Sequence, residues 1–424
     1  MKQRKALYGL PLVALVATVA ATAALTGSAA GSPAESAGAA RASATTTIRI
    51  WADRDRTPAV RSVAGAWARS RGVGVDVVTK DFGRIKDDLR TVQGDTAPDV
   101  IVAAHDWTGE LAANGLVLPL FLRRTVRRQF PGYTLDAFSY GTSTKRLYGI
   151  PVAVENVGLL VNTRLARVPR NWADLERQAL RFKRRRSGNL AIAVQQGANG
   201  DAYHMYPFFS GLCGYIFGRN RAGNLNPRNI GLDNRRFLRN TRLIDRWNRT
   251  GLINAKVDDA AARDAFLKGR AAFWITGPWF ADTVREAGIR FRVVQVPRIR
   301  CRSVPFLGVQ GFAVTRFAST HRVESLAKAF VGDYAARATS QTALARANNR
   351  YPANARAGRR VSDRVLAQFG RASAGGVPMP NIPQMSAVWS ELGGAWVKAT
   401  RGRGATRAQR SFAVAARNIR NKLR

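Results

Sequence analysis

The sequence predicts an α/β fold with two lobes, between which the chain crosses more than once. From residue 45 onward, short apolar segments rich in β-branched residues alternate with longer segments whose apolar residues recur at helical spacing. This alternation is typical of α/β proteins with a mostly parallel sheet. A length of 424 residues suits two such units. A late apolar strand at 308–314 then predicts that the chain returns to the first unit after building the second.

The first lobe begins with the segment TIRIW at 47–51, whose alternating β-branched residues indicate a strand. The next segment, 58–70, has apolar residues at helical spacing, and Gly72 ends the predicted helix. Further elements of this lobe are predicted at 73–78 (strand), 85–92 (helix) and 99–104 (strand).

Near residues 148–155 the chain is predicted to leave the first sheet and to begin a second α/β run that extends to about residue 305. The other predicted elements are strands at 157–161 and 308–314 and helices at 172–183, 322–336, 340–347, 387–400 and 407–422. We expect lobe 1 to comprise 45–152 with 310–358, lobe 2 to comprise 153–309 with 359–424, and 1–44 to be a signal or anchor segment with a low-complexity tether.

The N-terminal segment has the features of a targeting signal. Lys2, Arg4 and Lys5 precede an apolar run at 10–25, and small residues follow. These features predict that the rest of the chain lies outside the cytoplasm. The segment LTGS at 25–28 is similar to a bacterial lipoprotein box, but Ser28 stands where the lipid-bearing cysteine would be. Lipid attachment is therefore doubtful, and both cleavage and an uncleaved anchor stay open.

The formal net charge is +41, with 57 arginines and 11 lysines. Such a charge is typical of proteins that bind polyanions. However, the arginines are spread along the whole chain, and no zinc finger, RNP-type strand or basic leucine zipper accompanies them. We therefore expect a solvated basic surface and no specific nucleic-acid partner, and keep a polyanion-binding protein as an alternative.

The chain has two cysteines, Cys213 and Cys301. Outside the cytoplasm, two cysteines favour one disulfide. Two buried free thiols are the alternative.

Acidic and aromatic residues follow several of the predicted strands. In open α/β sheets, ligands bind beyond the carboxyl ends of the strands. The residues at these positions are Trp51, Asp53, Asp55, His105, Asp106, Trp107, Glu155 and Trp279. Carboxylates accept hydrogen bonds from hydroxyl groups, and flat indoles cover the apolar faces of a sugar ring. The pattern therefore predicts a site for a neutral polyol rather than for an anion.

Structural roles compete with binding roles at these positions. We expect Trp51 and His105 to be core residues, and Trp279 could simply lock its strand to the next helix. Asp53, Asp55 or Asp106 could cap helices. Glu155 is harder to explain structurally, because an unpaired buried carboxylate is costly. In the aromatic segment at 201–215, Tyr203 is the best candidate to face outward.

Five segments carry a resemblance to a known family: IVAAHDWTGELAANGLVLPL, LYGIPVAVEN, AFLKGRAAFWITGPW, SVPFLGVQGFAV and VPMPNIPQMSAVW. The sequence resembles the maltose/maltodextrin-binding proteins of bacterial ABC importers, particularly those of actinobacteria, from about residue 47 to the C-terminus. The resemblance implies a periplasmic-binding-protein-like fold whose lobes close on a linear α-glucan and deliver it to a membrane permease.

The resemblance also implies roles for individual residues. Polar contacts from the first lobe would come from Asp53, Asp55, Arg56 and Asp106, with Glu155 bonding hydroxyls near the hinge. The second lobe would supply the stacking aromatic residues, which are Tyr203, Trp279 and Trp389. Trp107 departs from the enteric members, which have an arginine there, and would add a stacking surface.

We therefore predict a monomeric solute-binding protein, not an enzyme, with no cofactor or metal. A glycoside hydrolase remains the enzymatic alternative, because paired carboxylates at a suitable separation could cleave a glycosidic bond. The three histidines are widely separated, and the HExxH, GxSxG and phosphate-loop motifs are absent from the sequence.

Overall fold

The computed structural model describes residues 46–141, 144–347 and 349–424. The targeting segment and Ser28 lie outside the described residues. Among those described, no helix is both long and apolar enough to span a membrane.

The strands in chain order are β1 (Thr47–Asp53), β2 (Gly74–Lys80), β3 (Val100–Ala104), β4 (Ser139–Tyr140), β5 (Arg146–Leu147), β6 (Ile150–Glu155), β7 (Gly158–Asn162), β8 (Ala193–Val194), β9 (Phe217–Arg219), β10 (Leu225–Ile230), β11 (Phe273–Thr276), β12 (Phe291–Val294), β13 (Phe306–Val314), β14 (Tyr351–Pro352) and β15 (Val377–Pro378).

The α-helices are α1 (Thr57–Arg71), α2 (Phe82–Thr91), α3 (Thr108–Ala113), α4 (Arg124–Arg127), α5 (Gly132–Ala137), α6 (Trp172–Arg184), α7 (Ala202–Gly211), α8 (Arg235–Asn240), α9 (Arg242–Thr250), α10 (Asp259–Leu267), α11 (Ala281–Glu286), α12 (Phe317–Thr320), α13 (Glu324–Lys328), α14 (Ala338–Arg346), α15 (Ala355–Gly358), α16 (Arg364–Ala372), α17 (Ser386–Thr400) and α18 (Ala408–Lys422). A π-helical turn, Ala329–Ala335, continues α13, and 3₁₀ turns lie at Gly94–Thr96, His105–Trp107, Pro278–Phe280 and Pro383–Met385.

The first sheet has the strand order β14-β6-β13-β3-β1-β2, with β15 also paired to β13. β1 pairs in parallel with β2 and β3, as expected for the start of an α/β lobe. However, β13 runs antiparallel to both β3 and β6. The expectation of a mostly parallel sheet is therefore wrong, because the strand that returns from the second sheet enters the first from the opposite direction.

The second sheet has the order β12-β7-β11-β8 and is buried on both faces. Its residues alternate between two apolar layers, since Leu159 and Val161 pack into one cluster while Leu160 packs into the other. α7, α9, α17 and α18 contribute to the larger of these layers. A strand that alternates in this way needs helices on both sides of its sheet.

One strand joins the two cores. Phe306, the first residue of β13, packs in the core of the second sheet, whereas Val309 and Phe312 pack in the core of the first. The connection from β6 to β7 is a second passage between the sheets. The predicted site residues lie around these passages.

Candidate functional site

The carboxyl end of β1 forms a tight ionic turn. Asp53 is buried, and its carboxylate accepts hydrogen bonds from the guanidinium of Arg56 and from the backbone N–H of Asp55. α1 begins after Arg56 without a side-chain cap, so the suggestion that Asp53 or Asp55 caps this helix is wrong. Asp53 instead fixes the position of Arg56. Asp55 lies next to this pair and is exposed.

A line of polar contacts leads from Arg56 to Glu155. Arg56 donates to Oε1 of Gln310 over 2.9 Å, and Nε2 of Gln310 donates to Oε1 of Glu155 over 2.8 Å. The other carboxylate oxygen of Glu155 accepts from the guanidinium of Arg350. The guanidinium carbon of Arg350 lies 5.6 Å from the ring centroid of Trp279. Hydrogen bonds and a cation–π contact thus connect Asp53 to Trp279.

Glu155 is the centre of this line. Its exposed fraction is 7%, and burial by itself would raise the pKa of the carboxyl group. Arg350, Arg56 and Gln310 more than offset that effect and hold the pKa below its ordinary value. Glu155 is therefore a buried but compensated anion. Each carboxylate oxygen can accept a further hydrogen bond from a ligand hydroxyl.

A second contact joins the end of β3 to α17. The indole N–H of Trp389 donates to Oδ2 of Asp106 over 3.1 Å. Asp106 is 8% exposed, and its burial raises the pKa of the carboxyl group to about 6. α3 has no side-chain cap at its N-terminus, so the suggestion that Asp106 caps this helix is wrong.

The predicted aromatic residues form one continuous path. Ring centroids are 6.4 Å apart for Tyr203 and Trp279, 6.3 Å for Tyr203 and Phe306, and 5.7 Å for Phe306 and Trp389. Tyr203, Trp279 and Trp389 are half-buried, whereas Phe306 is fully buried beneath them. The half-buried rings are anchored in the second core and keep part of their surface free.

The hydroxyl group of Tyr203 lies close to Glu155 and has no hydrogen-bond partner among the described residues. Burial and the nearby carboxylate raise the pKa of Tyr203 well above its ordinary value, so the hydroxyl stays neutral. Gly308 permits this approach. A Cβ atom at Gly308 would lie 2.9 Å from Cγ of Glu155 and 3.3 Å from Oη of Tyr203.

Trp107 is connected to Arg56 through the ring of Phe82. Its ring centroid lies 4.9 Å from that of Phe82, and the guanidinium of Arg56 lies 4.5 Å above the Phe82 ring. The residues we predicted from sequence are thus linked through contacts that begin at Asp53. Asp55 is the most peripheral of them.

Two other residues at strand ends are structural, as expected. Trp51 is 2% exposed in the first core. His105 is fully buried and bonds to the carbonyl oxygen of Met379 and the backbone N–H of Val309, both over 3.0 Å. Burial lowers the pKa of His105 to about 4, so the ring is neutral.

Sequence reasoning missed Gln310, Arg350, Phe306 and Phe82. Gln310 carried a usable signal, because it is a polar residue inside the apolar strand GVQGFAV. Arg350 carried none, since arginines occur throughout this chain.

The two cysteines form a disulfide that connects the end of α7 to the segment before β13, with Cα atoms 5.3 Å apart. The alternative of two free thiols is wrong. The bridge lies between the segments that carry Tyr203 and Phe306. Within the described ranges, no cluster of histidine, cysteine and acidic side chains could hold a metal ion.

Comparison with known proteins gives consistent matches. The family model for bacterial extracellular solute-binding proteins matches residues 66–364. A galactooligosaccharide-binding protein of Bacillus subtilis is 25% identical over 378 residues, which cover 84% of this chain and 85% of the relative. The maltodextrin-binding protein MdxE of the same organism is 26% identical over 356 residues, which cover 78% and 79%. The structure of Thermus thermophilus maltotriose-binding protein with bound maltotriose matches with a TM-score of 0.78 at 24% identity, covering 89% of this chain and 100% of the other.

Proposed function

The chain belongs to the family of bacterial extracellular solute-binding proteins, and we propose that its solute is a neutral oligosaccharide of the maltose and maltodextrin class. As a family member it is a solute-binding protein rather than an enzyme, and it acts outside the cytoplasm.

The proposal rests on one observation: buried acidic side chains lie beside the path of aromatic rings. Tyr203, Trp279 and Trp389 offer partly exposed rings for the C–H faces of sugar residues. Asp106 and Glu155 lie beside those rings and offer charged acceptors for hydroxyl groups. We assign further ligand contacts to Asp53, Asp55, Arg56 and Trp107.

Capture is proposed to occur by closure of the two lobes, which we take to be 45–152 with 310–358 and 153–309 with 359–424. The contact of Asp106 with Trp389 supports this mechanism, because it brings together the end of β3 and the start of α17. A ligand that bonds both sides stabilises the closed state over the open one. A membrane permease then receives the sugar from the closed form. We expect the protein to act as a monomer.

A galactose-containing oligosaccharide is the second candidate, because one relative is described as a galactooligosaccharide-binding protein. Both ligands are neutral and have hydroxyl groups and apolar ring faces, so the residue types alone suit either. The orientation of a few hydroxyls decides between them.

Isothermal titration calorimetry with maltose, maltotriose, cyclodextrin, trehalose, a galactosyl oligosaccharide and a pentose tests the proposal. We expect saturable binding of maltotriose and none of the pentose. Stronger binding of the galactosyl oligosaccharide would transfer the function to the second candidate. Absence of binding to every oligosaccharide in the panel would refute the proposal.

The N-terminal segment bears on how the protein is attached to the cell. Ser28 has no thiol to carry a lipid, so we propose that the chain is not anchored as a lipoprotein. Mass spectrometry of the protein isolated from its own cells tests this: a diacylglyceryl group on the mature N-terminus would contradict it.

A further inference from the structure

A neutral sugar ligand does not explain the high net charge of the protein. One groove on the protein is lined by several of the arginines. α8, α9 and the segment leading into α18 enclose a space of about 810 Å³. Five exposed arginines line it: Arg235, Arg239, Arg242, Arg249 and Arg407. The groove is formed by elements other than those that carry the aromatic path.

The two carboxylates that line the groove have hydrogen-bond partners other than its five arginines. Asp233 forms two hydrogen bonds of 2.7 Å with the guanidinium of Arg420, which lies outside the groove lining. Oδ1 of Asp245 accepts the backbone N–H of Ala408 over 2.8 Å. In the part of the chain that the structure describes, none of the five arginines forms an ion pair. By contrast Arg246, which lies on α9 together with Arg242 and Arg249, donates to both carboxylate oxygens of Glu176.

Hydrogen bonds also fix the shape of the groove. The side chain of Asn248 bonds to both the N–H and the carbonyl oxygen of Gly402, and Asp245 holds the start of α18. These bonds fix the segment before α18 against α9. The uncompensated guanidinium groups therefore surround a concavity that is formed before any ligand arrives.

We propose that this groove binds a chain of phosphodiester groups without aromatic bases, that is, a polyol-phosphate polymer of the cell envelope. Guanidinium groups match phosphate oxygens in geometry and charge. Among the described residues, no aromatic side chain lines the groove, so nucleobases would find no surface there to stack on. A flat bilayer contacts projecting residues, whereas a flexible polymer can enter a concave groove. The polymer would keep the protein near the cell surface while the sugar site stays free.

The probe is a fluorescently labelled glycerol-phosphate decamer, and its binding to the protein is followed by fluorescence anisotropy at several salt concentrations. The test variant is R239A/R242A/R249A. The matched control, R181A/R184A/R186A, removes three exposed arginines on and just after α6, which likewise form no ion pair with any described residue. Both variants lose the same formal charge.

We expect the groove variant to lose at least tenfold in affinity and the control to lose less than threefold. The slope of log K against log salt concentration should become less steep by about 2 in the groove variant, because about 0.7 counterions are released per phosphate on a single strand. Maltotriose titration of both variants should give the wild-type affinity, which tests the sugar site independently.

Four results would overturn the inference. Equal losses in both variants, or no binding by the wild-type protein, would mean that the groove has no special role. A thymidine decamer that binds more tightly, and through the same arginines, would indicate a nucleic acid instead. Groove-dependent binding to phosphatidylglycerol vesicles as strong as to the decamer would indicate a membrane surface.

Discussion

The indole nitrogen of Trp389 lies 3.1 Å from Oδ2 of Asp106, although the two residues are 283 positions apart in the sequence. Asp106 follows β3 in the first sheet, and Trp389 belongs to α17, which packs in the core of the second sheet. Two groups that we assign to sugar recognition therefore already meet across the two halves of the fold.

Removal of either indole should weaken sugar binding. W279A and W389A should each lower the affinity for maltotriose by about 30-fold or more, because truncating a central aromatic residue typically costs 2 kcal/mol or more. W389F should lose less, since its phenyl ring keeps part of the stacking surface, although it is smaller than the indole and has no N–H group. Calorimetry provides the affinities. F121A removes an exposed aromatic residue elsewhere and should leave the affinity unchanged. Equal affinities for wild type and W279A would contradict the stacking role.

The raised pKa of Asp106 predicts a specific pH dependence of stability. The pKa is about 6 in the folded protein and about 3.8 in the unfolded chain, so the folded state binds the extra proton between these values. The contribution of Asp106 to the free energy of unfolding is therefore largest below about pH 4 and falls as the pH rises to 6. D106N keeps an acceptor for Trp389 and cannot ionise.

Urea unfolding of wild type and D106N at pH 4 and pH 7 measures this effect. The stability of D106N relative to wild type should increase between these pH values by up to roughly 3 kcal/mol, from 1.4 kcal/mol per unit of pKa. A difference that stays constant, or that changes in the opposite direction, would show that Asp106 has no raised pKa in the folded state.

Gly308 should tolerate no side chain without a loss of binding. G308A places a methyl group within 2.9 Å of Glu155 and 3.3 Å of the Tyr203 hydroxyl. Overpacking of this kind typically lowers stability by about 1–3 kcal/mol. Because the methyl group would also displace Glu155 and Tyr203, we expect about tenfold weaker maltotriose binding. In the control G370A, the new methyl group meets no atom within 4 Å. Because it replaces a glycine inside α16, it should be neutral or slightly stabilising. Wild-type affinity in G308A would mean that Glu155 and Tyr203 need not approach each other.

The disulfide should contribute substantially to stability. The bond closes a loop of 88 residues, and C213S/C301S should lower the free energy of unfolding by about 4–5 kcal/mol in the chain-entropy model. Denaturant unfolding with and without a reductant measures the loss. The reductant should destabilise wild type and have no effect on the double variant. A loss below about 1 kcal/mol would argue against a stabilising role.

The local elements of the fold were predictable where periodicity was strong. The segments at 47–51, 58–70 and 172–183 correspond to β1, α1 and α6 with small shifts of their ends. The antiparallel entry of β13 was not predictable, because strand direction depends on where the chain comes from in space. Short strands such as β8 and β14 have only two residues and carry no periodic signal.

The grouping of the candidate site residues was partly predictable for a related reason. Strand ends converge at one edge of a sheet, so Asp53, Asp106 and Glu155 could be grouped from their positions alone. Arg350 could not, since it reaches Glu155 from a distant segment through tertiary packing and is one of 57 arginines. The charge partners of a buried acid are therefore harder to predict from sequence than the acid itself.

A crystal structure of the protein with bound maltotriose would show which side chains contact the sugar. We expect the sugar rings to lie against the indoles of Trp279 and Trp389, with hydroxyl groups bonded to Asp106 and Glu155. A trisaccharide bound elsewhere on the protein, with Trp279, Trp389 and Glu155 free of contact to it, would contradict the account.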